Sequence, residues 1–388
     1  MLILNGIIHT MDGGVIDSGY VRVEGTTIAE VGHMAQLPGE ADLGEAIDAR
    51  GGHVLPGFID VHCHLGLYGS GLGFESDDLN EVTDPCTPHM RALDGVNPLD
   101  RYFQEARRAG VTCVLTGPGS ANPISGQSVL MKTWGRVIDQ MVVRAPATMK
   151  FALGENPKSC YNKREESPMT RMATAAIIRE NLSKALEYQL KWERAKTDPE
   201  EDEPDFDAKL DALRPVMEGR LPAHFHAHRA DDIVTAIRLS REFGLDCTIV
   251  HGTEGHLIAD YLAREGVPVI TGPAMTDRSK PELANLTMEN TAILARAGVQ
   301  VAICTDHPET PIQYLPLCAA MAARAGMDEE EALAAITINA ACIAGADDRL
   351  GSLTQGKDAD IVVMDGHPFD WRSRVTHVLI NGQEVDNT

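Results

Sequence analysis

Positive charge, aromatic side chains, paired cysteines and long hydrophobic runs are all in short supply in this sequence, and each shortage excludes something. Against 57 Asp and Glu stand 34 Lys and Arg, a formal net charge of −23 over 388 residues. A surface of that sign repels phosphate backbones and anionic lipid headgroups, so no nucleic-acid and no membrane partner is expected. No apolar run approaches the roughly 18–20 residues that span a bilayer. The opening Met1-Leu2-Ile3-Leu4-Asn5-Gly6 carries neither the basic stretch nor the small-residue cleavage site of a secretory leader, so the expected compartment is the cytoplasm. The eight cysteines form no C-x-x-C pair, and several lie in apolar runs such as Val111-Thr112-Cys113-Val114-Leu115. They read as reduced, buried thiols. Seven acids and no base fall between Asp198 and Asp207, the mark of a solvated loop.

What is present is an aliphatic globular chain with 43% hydrophobic residues. Both ends read as β-structure. Leu2-Ile3-Leu4, Asn5-Gly6 and Ile7-Ile8 form a strand–turn–strand pattern, and Val21 and Val23 alternate on one strand face. Ile361-Val362-Val363-Met364 and Val378-Leu379-Ile380 repeat the pattern near the other end. From about residue 54, short apolar runs (111–115, 247–250, 267–270, 299–304) alternate with stretches of helical periodicity (231–243, 255–264, 288–297). That rhythm is the signature of parallel βα units and fits an α/β fold, a (β/α)8 TIM barrel, though a doubly wound sheet gives the same local pattern. The expected division is a small β-sandwich domain built from 1–53 and 346–388 around a barrel over 54–345. A helical insertion at about 157–222 is expected over the barrel mouth.

Chemistry concentrates in Pro56-Gly57-Phe58-Ile59-Asp60-Val61-His62-Cys63-His64. On a strand, residues i and i+2 share a face, so His62 and His64 aim two imidazoles at one point, half a site for a divalent ion. Other apolar runs also end in ligand types: His224-Phe225-His226-Ala227-His228, Val250-His251, and Cys304-Thr305-Asp306. A barrel collects all its strand ends at one mouth, which would make these residues neighbours.

The Pro56–His64 motif, together with Leu350-Gly351-Ser352-Leu353 and Gly356-Lys357-Asp358-Ala359-Asp360-Ile361-Val362-Val363, resembles the amidohydrolase superfamily over nearly the whole chain. Within it, the layout is most similar to imidazolonepropionase-related and Xaa-Pro dipeptidase-like members. The resemblance implies a hydrolase acting on carbon–nitrogen bonds of a small molecule. It implies one or two divalent ions, Zn2+ first among Fe2+, Mn2+ and Co2+, which acidify bound water and polarise a carbonyl. The implied ligands are His62, His64, His226, His251 and Asp306, with Glu155 preferred over a carboxylated Lys150 as the bridge between two ions. Lys150 is expected at the wrong end of its strand. Asp306 would serve as general base and acid, and His251 as ligand or carbonyl stabiliser.

Deaminases and imidazolonepropionase carry a glutamate three residues after the fifth-strand histidine, where this sequence has Arg229. That departure speaks against deamination and imidazolone hydrolysis. His228 and Arg229 are candidates for a substrate carboxylate, Arg229 equally for pairing with Asp231 or Asp232. Asn122, Gln127 and His307 are further candidates for the substrate wall, each with a plain structural alternative. A dipeptide, N-acyl amino acid or cyclic amide fits; an aminated heterocycle and a non-catalytic scaffold are the alternatives. Self-association is left open.

Overall fold

The structure is a computed structural model that describes residues 1–37, 45–69 and 73–385. From the N-terminus come β1 (Leu2–His9), β2 (Val15–Glu24), β3 (Thr27–His33), β4 (Ala46–Asp48) and β5 (His53–Pro56). Next are β6 (Phe58–Cys63), β7 (Val111–Thr116), β8 (Ile124–Gln127), β9 (Val129–Lys132) and β10 (Val142–Arg144). The parallel strands β11 (Met149–Ala152), β12 (Ala223–Ala227), β13 (Cys247–His251), β14 (Val269–Thr271) and β15 (Val301–Ile303) follow. The chain closes with β16 (Ile361–Met364), β17 (Val375–Ile380) and β18 (Gln383–Glu384).

Strands from both ends join in one sheet, ordered β18-β17-β16-β5-β1-β2-β3 with β4 paired to β1. Ile3, Ile8, Val21, Val54, Ile361 and Leu379 form its buried face. The two Asn-Gly pairs behave differently. Asn381-Gly382, at φ of 50° and 72°, makes the tight turn between β17 and β18. Asn5-Gly6, expected as a turn, instead lies inside β1 as a bulge against β2. A side chain at position 6 would sit 2.5 Å from Val54 Cγ2, so β5 can run alongside β1 only if residue 6 is glycine.

The middle of the chain is α/β, but its ladders do not close into eight parallel strands. A four-stranded sheet (β10-β9-β7-β6) and a six-stranded sheet (β15-β14-β13-β12-β11-β8) are separate. β8 and β9 are nearly continuous, and both run antiparallel, β9 to β7 and β8 to β11. Where β15 meets β6, two backbone bonds cross the seam: His64 N–H to His307 C=O at 2.9 Å and Asp306 N–H to His62 C=O at 3.3 Å.

The 157–222 segment holds the helices Arg171–Thr197 and Ala208–Met217, which pack together. The long helix buries Ile178, Leu182 and Ala185, and its Arg171 and Arg179 pair with Asp232 and Glu242 of the helix Ala230–Phe243. It therefore packs against that outer helix, and no residue of 157–222 lines the cavity around His62 and His64. No described helix is long and apolar enough to cross a membrane.

Candidate metal centre

The strand β6 is buried along its whole length, so His62 leaves its end already enclosed. Asp60, buried beneath, accepts from His62 N–H at 3.3 Å and from the Thr305 hydroxyl at 2.5 Å, tying the His-x-His strand to the segment that carries Asp306. Burial pushes the Asp60 carboxyl up to about 7. At the seam so formed, the Nε2 atoms of His62 and His64 each lie 3.3 Å from Asp306 Oδ1. His251 and Asp306 leave their strands in the left-handed region, at φ of 76° and 52°. Such backbone is rare for non-glycine residues and persists where surroundings over-determine it.

Together His62, His64, Lys150, His226, His228, His251 and Asp306 line one cavity of about 480 Å³. Ligand atoms of His226, His228 and His251 lie within 4.8 Å of one another, as do those of His62, His251 and Asp306. Burial first, then neighbouring rings, holds His226 and His228 well below the ordinary imidazole range, and burial takes His251 down to about 4. These rings are neutral near pH 7 and have lone pairs to offer.

The outer nitrogens decide which lone pairs face inward. His64 Nδ1 lies 2.7 Å from the Gly117 carbonyl and His251 Nδ1 lies 2.7 Å from the Gly272 carbonyl. A carbonyl only accepts, so each Nδ1 carries the hydrogen, and in the neutral ring Nε2 is a bare acceptor. With a neutral ring, His64 Nε2 and Asp306 Oδ1 are two acceptors at 3.3 Å, an arrangement that a cation between them would satisfy. Two ligand atoms bound to one tetrahedral zinc at about 2.05 Å stand about 3.3 Å apart. The donor set, neutral imidazoles with carboxylate, equally suits iron, manganese or cobalt.

The amidohydrolase family model matches residues 53–385. The chain belongs to that family. An amidohydrolase from Thermotoga maritima MSB8 superposes with a TM-score of 0.95 at 42% identity, covering 99% of each chain. "Amidohydrolase tasK" of Hapsidospora irregularis is 30% identical over 94% of this chain, which spans only 39% of that protein's length. Imidazolonepropionase of Geobacillus kaustophilus is 27% identical over 91% of this chain and 85% of its own. The protein is accordingly a hydrolase acting on carbon–nitrogen bonds, from a metal-dependent family, with a His/Asp cluster able to hold metal.

Several residues proposed from the sequence of this amidohydrolase lie away from the cavity. Glu155 begins a helix, and its carboxylate accepts from Glu282 N–H at 3.3 Å instead of facing the histidines. Lys150, assigned to the wrong strand end, places Nζ 3.1 Å from His62 Nε2. In register it lies beside His224, two residues below the level of His226, and its four methylenes span that gap. Burial lowers its ammonium to about 8. Arg229 is half-exposed and grips Asp231 through both carboxylate oxygens at 2.9 Å. Asn122 is buried among Glu81, Thr87 and Tyr161, and Gln127 donates to the Pro88 carbonyl. His307 packs edge-on to Tyr102 behind the cavity wall, and its Nδ1 accepts from Ile312 N–H.

Glu282, Lys280 and Asn156 were not singled out in the sequence. Glu282 is almost fully buried, with Oε1 2.7 Å from Lys280 Nζ, 3.6 Å from His228 Nε2 and 3.9 Å from His226 Nε2. Burial raises its carboxyl, but His228 and Lys280 outweigh that and hold it below the ordinary range. A Lys-Pro-Glu in a polar loop has no periodicity to mark it.

Proposed function

We propose that this amidohydrolase cleaves the amide of a small molecule, a dipeptide, N-acyl amino acid or cyclic amide, in the cavity at the ends of β6, β12, β13 and β15. On this reading the two central sheets, bridged by β8 and β9, form the family's barrel, and the sheet made from both termini forms its small domain. The observation that carries the reading is the convergence of His62 Nε2 and the outward-tied His64, through its Nε2, on Asp306 Oδ1. His62, His64 and Asp306 would hold one divalent ion and His226 and His251 a second, with Lys150, its neutral amine carboxylated by carbon dioxide with release of a proton, joining them. A bound ion supplies a Lewis acid and acidified water.

The residues supply the rest. Asp306 takes a proton from the attacking water and passes it to the leaving nitrogen. His228 has Nδ1 2.7 Å from the Thr253 hydroxyl, which fixes the ring. With that hydroxyl donating, His228 Nε2–H is free to polarise the scissile carbonyl. Burial of the cluster excludes bulk water and strengthens each of these interactions.

A library of dipeptides, N-acyl amino acids, cyclic amides and aminated heterocycles, offered to metal-replete enzyme, tests the assignment. Amine or acid release is expected, and Asp306→Asn should cut kcat/KM by roughly 10²–10⁴-fold while circular dichroism stays native. Unchanged turnover in Asp306→Asn removes it from this role. Ammonia release from the heterocycles alone points to deamination, and absence of stoichiometric metal points to a scaffold.

A further inference from the structure

We infer that Lys280 is the residue that selects the substrate, by taking a free carboxylate one amino-acid unit from the scissile carbonyl. This rests on the C–N hydrolase reading above and narrows it to N-acyl amino acids or dipeptides cut at the amide next to that carboxylate. The charged side chains lining the cavity are Lys150, Lys280, Asp306 and the exposed Glu309. Lys150 is buried against His62, whereas the Lys280 side chain is 28% exposed into the cavity. Lys280 is therefore the cation that an incoming ligand meets among the described residues.

Its position is fixed by buried partners. An ammonium has three N–H donors. For Lys280, Glu282 Oε1 lies at 2.7 Å and Asn156 Oδ1 accepts at 3.0 Å, which leaves a third N–H for the cavity. Glu282 cannot swing away, because its Oε2 accepts from Glu155 N–H at 2.9 Å. The backbone closes in too: a Cβ at Gly154 would stand 2.9 Å from that oxygen. Since Glu282 Oε1 also faces His228 and His226, a single carboxylate separates Lys280 from the imidazoles at the reacting centre. In an N-acyl amino acid only the nitrogen and Cα separate the scissile carbon from the carboxylate carbon, a matching short span. Ser120, Ser279, Thr276 and Asn80 line the same cavity and offer further donors. A neutral cyclic amide has no charge to place against Lys280.

The test compares kcat/KM for N-acetyl-L-amino acids and for their matched carboxamides, using metal-replete wild type, Lys280→Met and Lys280→Arg. Wild type is expected to prefer the acids roughly 10- to 100-fold, the worth of a hydrogen bond to a charged group. That ratio should collapse toward unity in Lys280→Met, through KM for the acids, and recover in part in Lys280→Arg. Equal rates on acids and amides in wild type, which needs no variant to fold, overturn the inference. So does a preference that survives in Lys280→Met. Hydrolysis without acid preference removes only the role of Lys280, whereas no hydrolysis of any C–N bond removes the hydrolase reading and this inference with it.

Discussion

Histidines cluster twice in this molecule, and the two clusters are built on opposite plans. In the terminal sheet, His9 Nε2 meets His53 Nδ1 at 2.8 Å and His9 Nδ1 meets Glu330 Oε1 at 3.1 Å. His367 packs edge-on to His53, with Nδ1 accepting from Phe369 N–H and Nε2 3.6 Å from Glu329. The rings answer one another and the neighbouring helix Glu329–Ala334, so the cluster joins sheet to helix. In the cavity, backbone carbonyls hold the outer nitrogens of His64 and His251 and a threonine that of His228, and the Nε2 atoms of His62 and His64 converge on Asp306. Similar residue types thus make a structural contact in one place and a cluster able to hold metal in the other. The difference lies in which nitrogen the backbone occupies. Two left-handed residues, each costing about 1–3 kcal/mol, occur at the cavity, whereas His9 and His53 sit in ordinary strands.

Exchanging the clusters' roles by mutation breaks or sharpens this contrast. The largest effect is expected from His251→Gln, which should lose stoichiometric metal by elemental analysis and roughly 10²–10⁴-fold of kcat/KM. His53→Gln should keep both. Metal lost from His53→Gln, or retained in full by His251→Gln, would erase the distinction.

A smaller effect concerns pH. Burial, with His9 and His367 adding, takes His53 down to about 4, against about 6.5 for an unfolded histidine. Between those values the unfolded chain binds a proton that the native one does not, so stability falls as pH falls through that window. Glu330 and Glu329 face His9 and His367, the two rings beside His53. Melting temperature should drop from about pH 7 to about pH 5, less steeply in His53→Gln by on the order of a degree. Parallel profiles would mean that His53 titrates as it does unfolded. Smallest of all, Arg229→Ala should leave kcat/KM within about twofold, because an exposed Arg–Asp pair contributes little. A tenfold loss would return Arg229 to the substrate.

Much of the site was legible because strand alternation is a local rule. His62 and His64 share a face for that reason, and Val250-His251 and Thr305-Asp306 end apolar runs as strand termini do. Glu155 was misplaced because sequence position was read as height along the strand. The reach of a lysine side chain puts Lys150 at the histidines, and a helix start turns Glu155 toward Glu282. The pockets around Asn122, Gln127 and His307 are made by loops whose paths no periodicity reveals.

By itself the sequence determined the family, the α/β middle, the β-rich ends and the identity of the imidazole and carboxylate donors. Those follow from composition, motif and alternation, all carried by neighbours along the chain. Only the tertiary structure decided that β8 and β9 run antiparallel between the two sheets, that Lys150 reaches His62 while Glu155 turns to Glu282, and that Lys280 and Glu282 stand beside the cluster. Each depends on strand register and loop course, which packing between distant segments sets and no local pattern encodes.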